Sequence, residues 1–142
     1  MNYAIVFRLL GYILMIEGVL LLLPAVTSLI YAEWAVMGVF LLTAAISAAL
    51  GCGLRTIKPR SKVFYMREGF AATALSWIAI SIVGAVPFVL TGCIPNPVDA
   101  LFETVSGFTT TGASILPAVE GLPNGILFWR SFTHWIGGMG VL

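Results

Sequence analysis

Residues 104–114 read Thr-Val-Ser-Gly-Phe-Thr-Thr-Thr-Gly-Ala-Ser, a polar threonine and glycine run set between apolar segments of membrane-spanning length. Irregular polar backbone at membrane depth is tolerated only where it is buried in protein or lines a cavity. Threonine hydroxyls and backbone carbonyls in such a run can replace the water around a dehydrated cation. The stretch reads as one ion-selectivity loop over 108–114, with Thr109, Thr110, Thr111 and Gly112 as its cation-facing residues.

Composition places this loop in lipid. Of 142 residues, 60% are apolar and 9% charged, and the mean hydropathy is +1.05, values foreign to a water-soluble globular domain. The net charge of +1 offers no electrostatic footprint for nucleic acid. Three stretches, 3–30, 34–54 and 69–94, are long enough to span, since roughly 20 helical residues cross the hydrocarbon core. The first two, joined by a tight turn at Tyr31-Ala32-Glu33, form an N-terminal transmembrane hairpin over 1–54. The loop 55–68 holds Arg55, Lys58, Arg60, Lys62 and Arg67, five of the seven basic residues, and the positive-inside rule makes it cytoplasmic. The N-terminus with Arg8 is then cytoplasmic too, and the first span does not read as a cleavable signal peptide.

After the third span, which Pro87 is expected to kink, Pro95-Asn96-Pro97 breaks the chain. Asn96 suits an N-cap, Pro97 the first helical position, and Asp99 the positive end of a helix dipole. The helix predicted from 97 to 107 has about 11 residues and a length of roughly 16 Å, half a membrane. A half-length helix followed by a polar loop is a re-entrant pore helix. Its carbonyl end aims at Thr109–Gly112 and favours a cation there. A last apolar helix runs from 124 to 142, and Asp99, Glu103 and Glu120 are expected around an acidic outer mouth. The expected fold is an all-α integral membrane protein with three transmembrane helices, a re-entrant pore helix and a filter loop, the final helix cut short. Residues 69–142 form its potassium-channel-like membrane–pore–membrane repeat.

Phe102-Glu103-Thr104-Val105-Ser106-Gly107-Phe108-Thr109-Thr110-Thr111-Gly112-Ala113-Ser114, then Trp129-Arg130-Ser131 and Trp135-Ile136-Gly137-Gly138-Met139-Gly140-Val141, resemble the first pore repeat of the Trk/Ktr/HKT superfamily of potassium transporters, closest to the bacterial Trk-type subunit. The resemblance extends over nearly the whole chain, including Arg67-Glu68-Gly69-Phe70. It implies four such repeats around one pore, with Gly112 as the filter glycine and Thr110 and Thr111 among the potassium-coordinating positions. Glycine at this position, where some sodium-selective relatives carry serine, implies potassium as the ion. It further implies a multi-pass protein of the bacterial plasma (inner) membrane, a homodimer, a cytoplasmic nucleotide-binding regulatory subunit, and no cofactor or enzymatic activity. One repeat supplies only part of an ion's coordination shell. The chain is therefore expected to be the N-terminal part of a longer transporter completed by the remaining repeats. The alternative is a non-conducting fragment or small membrane subunit that packs against a partner.

Other residues carry smaller expectations. Arg130, inside the last helix, needs a partner, and Glu103 or the carbonyl end of the pore helix would supply one, supporting the filter rather than touching the ion. Glu17 is an intramembrane carboxylate that a neighbouring hydroxyl could satisfy. His134 reads as a packing residue, and a Ser131/His134 hydrolase lacks both an oxyanion hole and a nucleophile elbow. Gly137, Gly138 and Gly140 suit close helix packing more than a hinge. Trp34 and Trp129 read as interfacial anchors. Cys52 and Cys93, at opposite membrane faces, are expected to be free thiols.

Overall fold

In the computed structural model, which describes residues 2–140, the chain folds into six helices, with no strand among the described residues. They are α1 (Tyr3–Leu20), α2 (Leu22–Ile30), α3 (Trp34–Arg55), α4 (Met66–Leu90), α5 (Pro97–Phe108) and α6 (Asn124–Gly140). Three segments, Tyr3–Ile30, Trp34–Arg55 and Met66–Leu90, are long and apolar enough to cross a membrane, with mean hydropathies of 2.3, 2.1 and 2.0. The protein is an all-α, multi-pass membrane protein.

Element boundaries follow local chemistry that hydropathy alone does not resolve. The first span breaks at Leu21 because Pro24 has no N–H to return to the Leu20 carbonyl. The third span begins at Met66, not Gly69: the Glu68 side chain accepts the Tyr65 N–H at 3.0 Å and caps the helix from inside the charged segment. It ends at Leu90, not Ile94, because Gly92, with φ +75, takes the left-handed turn that closes a helix. In α5 the Asn96 side chain accepts the Val98 N–H at 3.0 Å, and the helix runs one residue past the expected end, to Phe108.

Large apolar side chains such as Ile16, Val19, Ile78 and Ile82 lie on the outside, where lipid would meet them, while small residues fill the seams. A Cβ on Gly11 would lie 2.7 Å from the Gly51 carbonyl oxygen, and one on Gly51 2.6 Å from that of Gly11. One heptad along, Gly18 faces Ala44, and between them the Ser47 hydroxyl donates to the Leu14 carbonyl at 2.6 Å. Gly11 with Gly51 and Gly18 with Ala44 set the antiparallel register of α1 on α3. Buried hydroxyls elsewhere return to the carbonyl one turn back, as Thr43 does to Val39, Ser76 to Ala72 and Ser81 to Trp77.

Two carboxylates close the bundle at its ends. Glu33, in the turn between α2 and α3, accepts the Asn124 N–H at 2.8 Å and the Gly125 N–H at 3.1 Å, capping α6. Its neighbour in the same seam is the contact of Ser28 with Gly125. Glu68 accepts the Asn2 N–H at 3.0 Å and holds the start of the chain to the start of α4. Glu17 differs. It is 4% exposed, and neither carboxyl oxygen has a hydrogen-bond partner among the described residues. No neighbouring hydroxyl satisfies it among the described residues, contrary to expectation. Trp129 also departs from expectation: it is fully buried at the centre of the bundle instead of anchoring an interface, whereas Trp34 is exposed at the start of α3.

Two substitutions test this packing in detergent. Gly11→Leu has no room at the α1–α3 seam and should lower stability by about 1–3 kcal/mol, read as a fall in melting temperature. Glu17→Leu removes a buried unpartnered carboxyl and should raise stability by roughly 1–3 kcal/mol; a lowered melting temperature would mean that this carboxyl has a partner.

Candidate functional site: the loop after α5

The polar loop is built from the end of α5. Phe108 is buried against Trp77 and Trp129, with ring centroids 6.4 and 6.3 Å apart in edge-on arrangements. Trp129 in turn donates its indole N–H to the Gly84 carbonyl at 2.9 Å and meets Phe40 at 6.4 Å, so α3, α4, α5 and α6 converge on one aromatic cluster. Side chains are excluded where backbones touch. Gly107 lies against Thr133, Gly137 against the Phe108 carbonyl, and a Cβ on Gly84 would lie 2.9 Å from Thr104. Gly137 is thus a packing glycine. These contacts hold the last turn of α5 rigidly between α4 and α6.

From this platform the chain turns sharply. Thr109 N–H donates to Val105 at 2.9 Å, Thr110 N–H to Gly107 at 3.0 Å, and Thr111 and Gly112 N–H to the Ser106 carbonyl at 2.9 and 3.4 Å. The donors of the loop are therefore spent on the orphan carbonyls of the helix end. Their own carbonyls are not: among the described residues, no hydrogen bond reaches the carbonyl oxygens of Thr109, Thr110, Thr111 or Gly112. All four residues are exposed. Thr110 and Gly112 have φ of +56 and +78. Glycine takes this region freely, but for a β-branched threonine it costs about 1–3 kcal/mol, which the surrounding contacts must sustain. The Thr109 hydroxyl donates to the Val105 carbonyl at 2.7 Å and lies 2.8 Å from that of Thr111, lining one edge of the loop with oxygen.

A buried ion pair holds the far side. Glu103, 3% exposed, receives the Arg130 Nε–H at 2.6 Å. It also accepts the Ser114 hydroxyl at 3.0 Å and the Ile115 N–H at 3.1 Å. One carboxylate thus joins α5, α6 and the segment leaving the loop. The Ser106 hydroxyl adds a second tie to the Ala113 carbonyl. Glu103 therefore does not belong to an open acidic mouth: burial and pairing with Arg130 remove its charge from the surface, leaving Asp99 and Glu120 there. His134 Nδ1 lies 2.9 Å from the Arg130 carbonyl, and Ser131 is exposed without a hydrogen bond to it, so the pair does not form a nucleophile and base.

The sequence-chosen residues thus fall in one place: Thr109–Gly112 form the open face, Glu103 and Arg130 the pair behind it. Sequence reasoning passed over the ties made by Ser106 and Ser114, and the cluster around Trp129. A hydroxyl on each side of the Thr-Thr-Thr-Gly run was the available signal for the first. Nothing in the linear sequence distinguishes a central tryptophan from one at a helix end.

With this geometry in view, the relatives of the chain can be placed. Residues 33–142 match the family model described as TrkH, cation transport protein. An uncharacterized cation transporter of Methanocaldococcus jannaschii is 38% identical over 96% of this chain and 28% of its own length. The Trk system potassium uptake protein TrkH of Halomonas elongata is 34% identical, and that of Escherichia coli 35%, each over 100% of this chain and 30% of its own length. The chain spans less than a third of the length of these relatives. The match over residues 33–142, most of its length, makes this chain a member of the TrkH family of cation transport proteins.

Proposed function

We propose that this chain is the N-terminal hairpin and first pore repeat of a potassium uptake transporter, and that Thr109, Thr110, Thr111 and Gly112 supply its share of the selectivity filter. The observation that carries the reading is the asymmetry of the loop: the N–H groups of Thr109–Gly112 are tied back to α5, while their four carbonyls accept no hydrogen bond among the described residues and the residues are exposed. A loop with spent donors and open acceptors is suited to a cation and unsuited to an anion. The C-terminal end of α5 adds the negative end of a helix dipole. In this reading α5 is a re-entrant pore helix, and three further repeats from the remainder of a longer protein complete the oxygen ring.

Glu103 and Arg130 act as filter support. Ion coordination requires oxygens held at fixed spacing, and the pair fixes the loop by clasping Ser114 and Ile115 from behind. The carboxylate offsets the guanidinium charge, so Arg130 stands near the loop without repelling the ion. The names of the potassium uptake relatives support potassium as the cargo. In the same reading the basic 55–68 loop and the N-terminus face the cytoplasm of a bacterial cell, across its inner membrane. The complete protein pairs as a homodimer and meets a cytoplasmic nucleotide-binding subunit.

Gly112→Ser in the full-length transporter should lower the uptake preference for potassium over sodium by about tenfold, roughly 1.4 kcal/mol. An unchanged ratio of the two uptakes would exclude Gly112 from the filter. Arg130→Leu strands the buried Glu103 carboxylate and should cost about 3–5 kcal/mol of stability, and Glu103→Leu, which strands a partly exposed guanidinium, should cost less. The double variant should cost less than the sum by roughly 0.5–3 kcal/mol, measured as a double-mutant cycle on thermal unfolding.

A further inference from the structure

The segment joining α3 to α4 carries Arg55, Lys58, Arg60, Lys62 and Arg67, and all five side chains are exposed. The acid beside them does not neutralise them, because Glu68 is buried and its two oxygens accept the N–H groups of Asn2 and Tyr65. The one salt bridge among the described residues is Arg130 with Glu103, so none of the five bases has a carboxylate partner there. Apolar side chains are interleaved with these bases. Val63, Phe64, Tyr65 and Met66 all stand in the open, Met66 at 78% exposed, and Phe70 follows one turn into α4.

The segment is held at the ends of membrane-length helices and cannot stray into solution. The Asn2 amide donates to the Ser61 carbonyl at 2.9 Å, clasping its middle to the start of α1. The Arg55 guanidinium stacks 5.7 Å from the centre of the Tyr12 ring, fixing its beginning. Unpaired bases and exposed aromatic and aliphatic groups therefore share one short strip at the bundle end where α1 and α4 start and α3 finishes. Water suits the bases and not the apolar groups; hydrocarbon suits the reverse. The boundary of a negatively charged leaflet suits both, since each Lys or Arg near such a surface gains about 1 kcal/mol and aromatic rings settle at headgroup level.

We propose that residues 55–70 form a binding surface for anionic phospholipid headgroups, with Lys58, Arg60 and Lys62 engaging phosphates and Val63–Met66 seated among the upper acyl carbons. An acidic protein surface would match the charge but would cover Phe64 and Met66 only if it also carried an apolar patch in register with them, whereas a charged leaflet offers headgroups above acyl carbons along its whole surface. The proposal concerns lipid retention and is independent of the filter assignment.

The test uses the purified full-length transporter equilibrated with mixed micelles of phosphatidylglycerol and phosphatidylcholine, with protein-retained lipid quantified by mass spectrometry. Phosphatidylglycerol should be enriched at least about fivefold, the equivalent of one base. Lys58→Gln/Arg60→Gln/Lys62→Gln leaves Arg55 and Arg67 in place and should cut the enrichment several-fold at an unchanged melting temperature, while Lys58→Arg/Lys62→Arg keeps it. Equal retention of both lipids by the wild type would overturn the proposal. So would enrichment undiminished by neutralisation of the three bases, including the case in which that variant instead loses an acidic protein partner. Should the neutralised variant fail to fold, salt decides on the wild type: enrichment that collapses near roughly 0.5 M salt supports headgroup binding, and enrichment indifferent to salt overturns it.

Discussion

The carboxylate of Glu103 is the constraint on which the rest of the site depends. Buried in an apolar bundle, it must be met on all sides, and the Arg130 guanidinium, the Ser114 hydroxyl and the Ile115 N–H meet it. Those partners come from α6 and from the chain leaving the loop, so satisfying one charge positions three pieces of backbone. An exposed pair would be worth little, but removing Arg130 leaves the buried Glu103 carboxylate in a medium that cannot solvate it.

The same device recurs at lower cost. Glu33 accepts backbone N–H groups far away in the chain at the start of α6, and Glu68 divides its oxygens between the distant Asn2 N–H and that of Tyr65 at its own helix start. In a bundle whose core offers little hydrophobic contrast with lipid, directional bonds to otherwise orphaned donors give register and orientation that apolar packing cannot. Close backbone contact supplies the remainder, at Gly11 with Gly51 in the hairpin and at Gly137 with Phe108 under the loop.

This division of labour explains the loop. Its open carbonyls and the left-handed Thr110 are unfavourable in isolation. They persist because α5 is wedged by Gly107 and Gly84, the Phe108 ring is packed against Trp77 and Trp129, and the exit is pinned through Ser114. Rigidity is built in the buried helices and displayed at an exposed surface, which is what the proposed coordinating role of the loop requires.

Helix positions and the placement of the polar loop were legible in the sequence, because hydropathy, the Asn96-Pro97 start and the Thr-Thr-Thr-Gly run are local signals. The partnership of Arg130 with Glu103 was legible as a need, since a charge inside an apolar helix demands compensation. Which oxygens and donors answer that need was not. Ser106, Ser114 and Ile115 acquire their roles only when the chain folds back on α5. Trp129 becomes the centre of the bundle only when α3, α4, α5 and α6 converge, and burial of α1 against its neighbours leaves Glu17 without a partner among the described residues. By itself the sequence determined an all-α membrane protein with a polar loop after a short helix, because solvent preference and helix capping act over a few residues. Only the tertiary structure decided which carbonyls remain open and what braces them, because hydrogen-bond satisfaction is settled between segments distant in sequence.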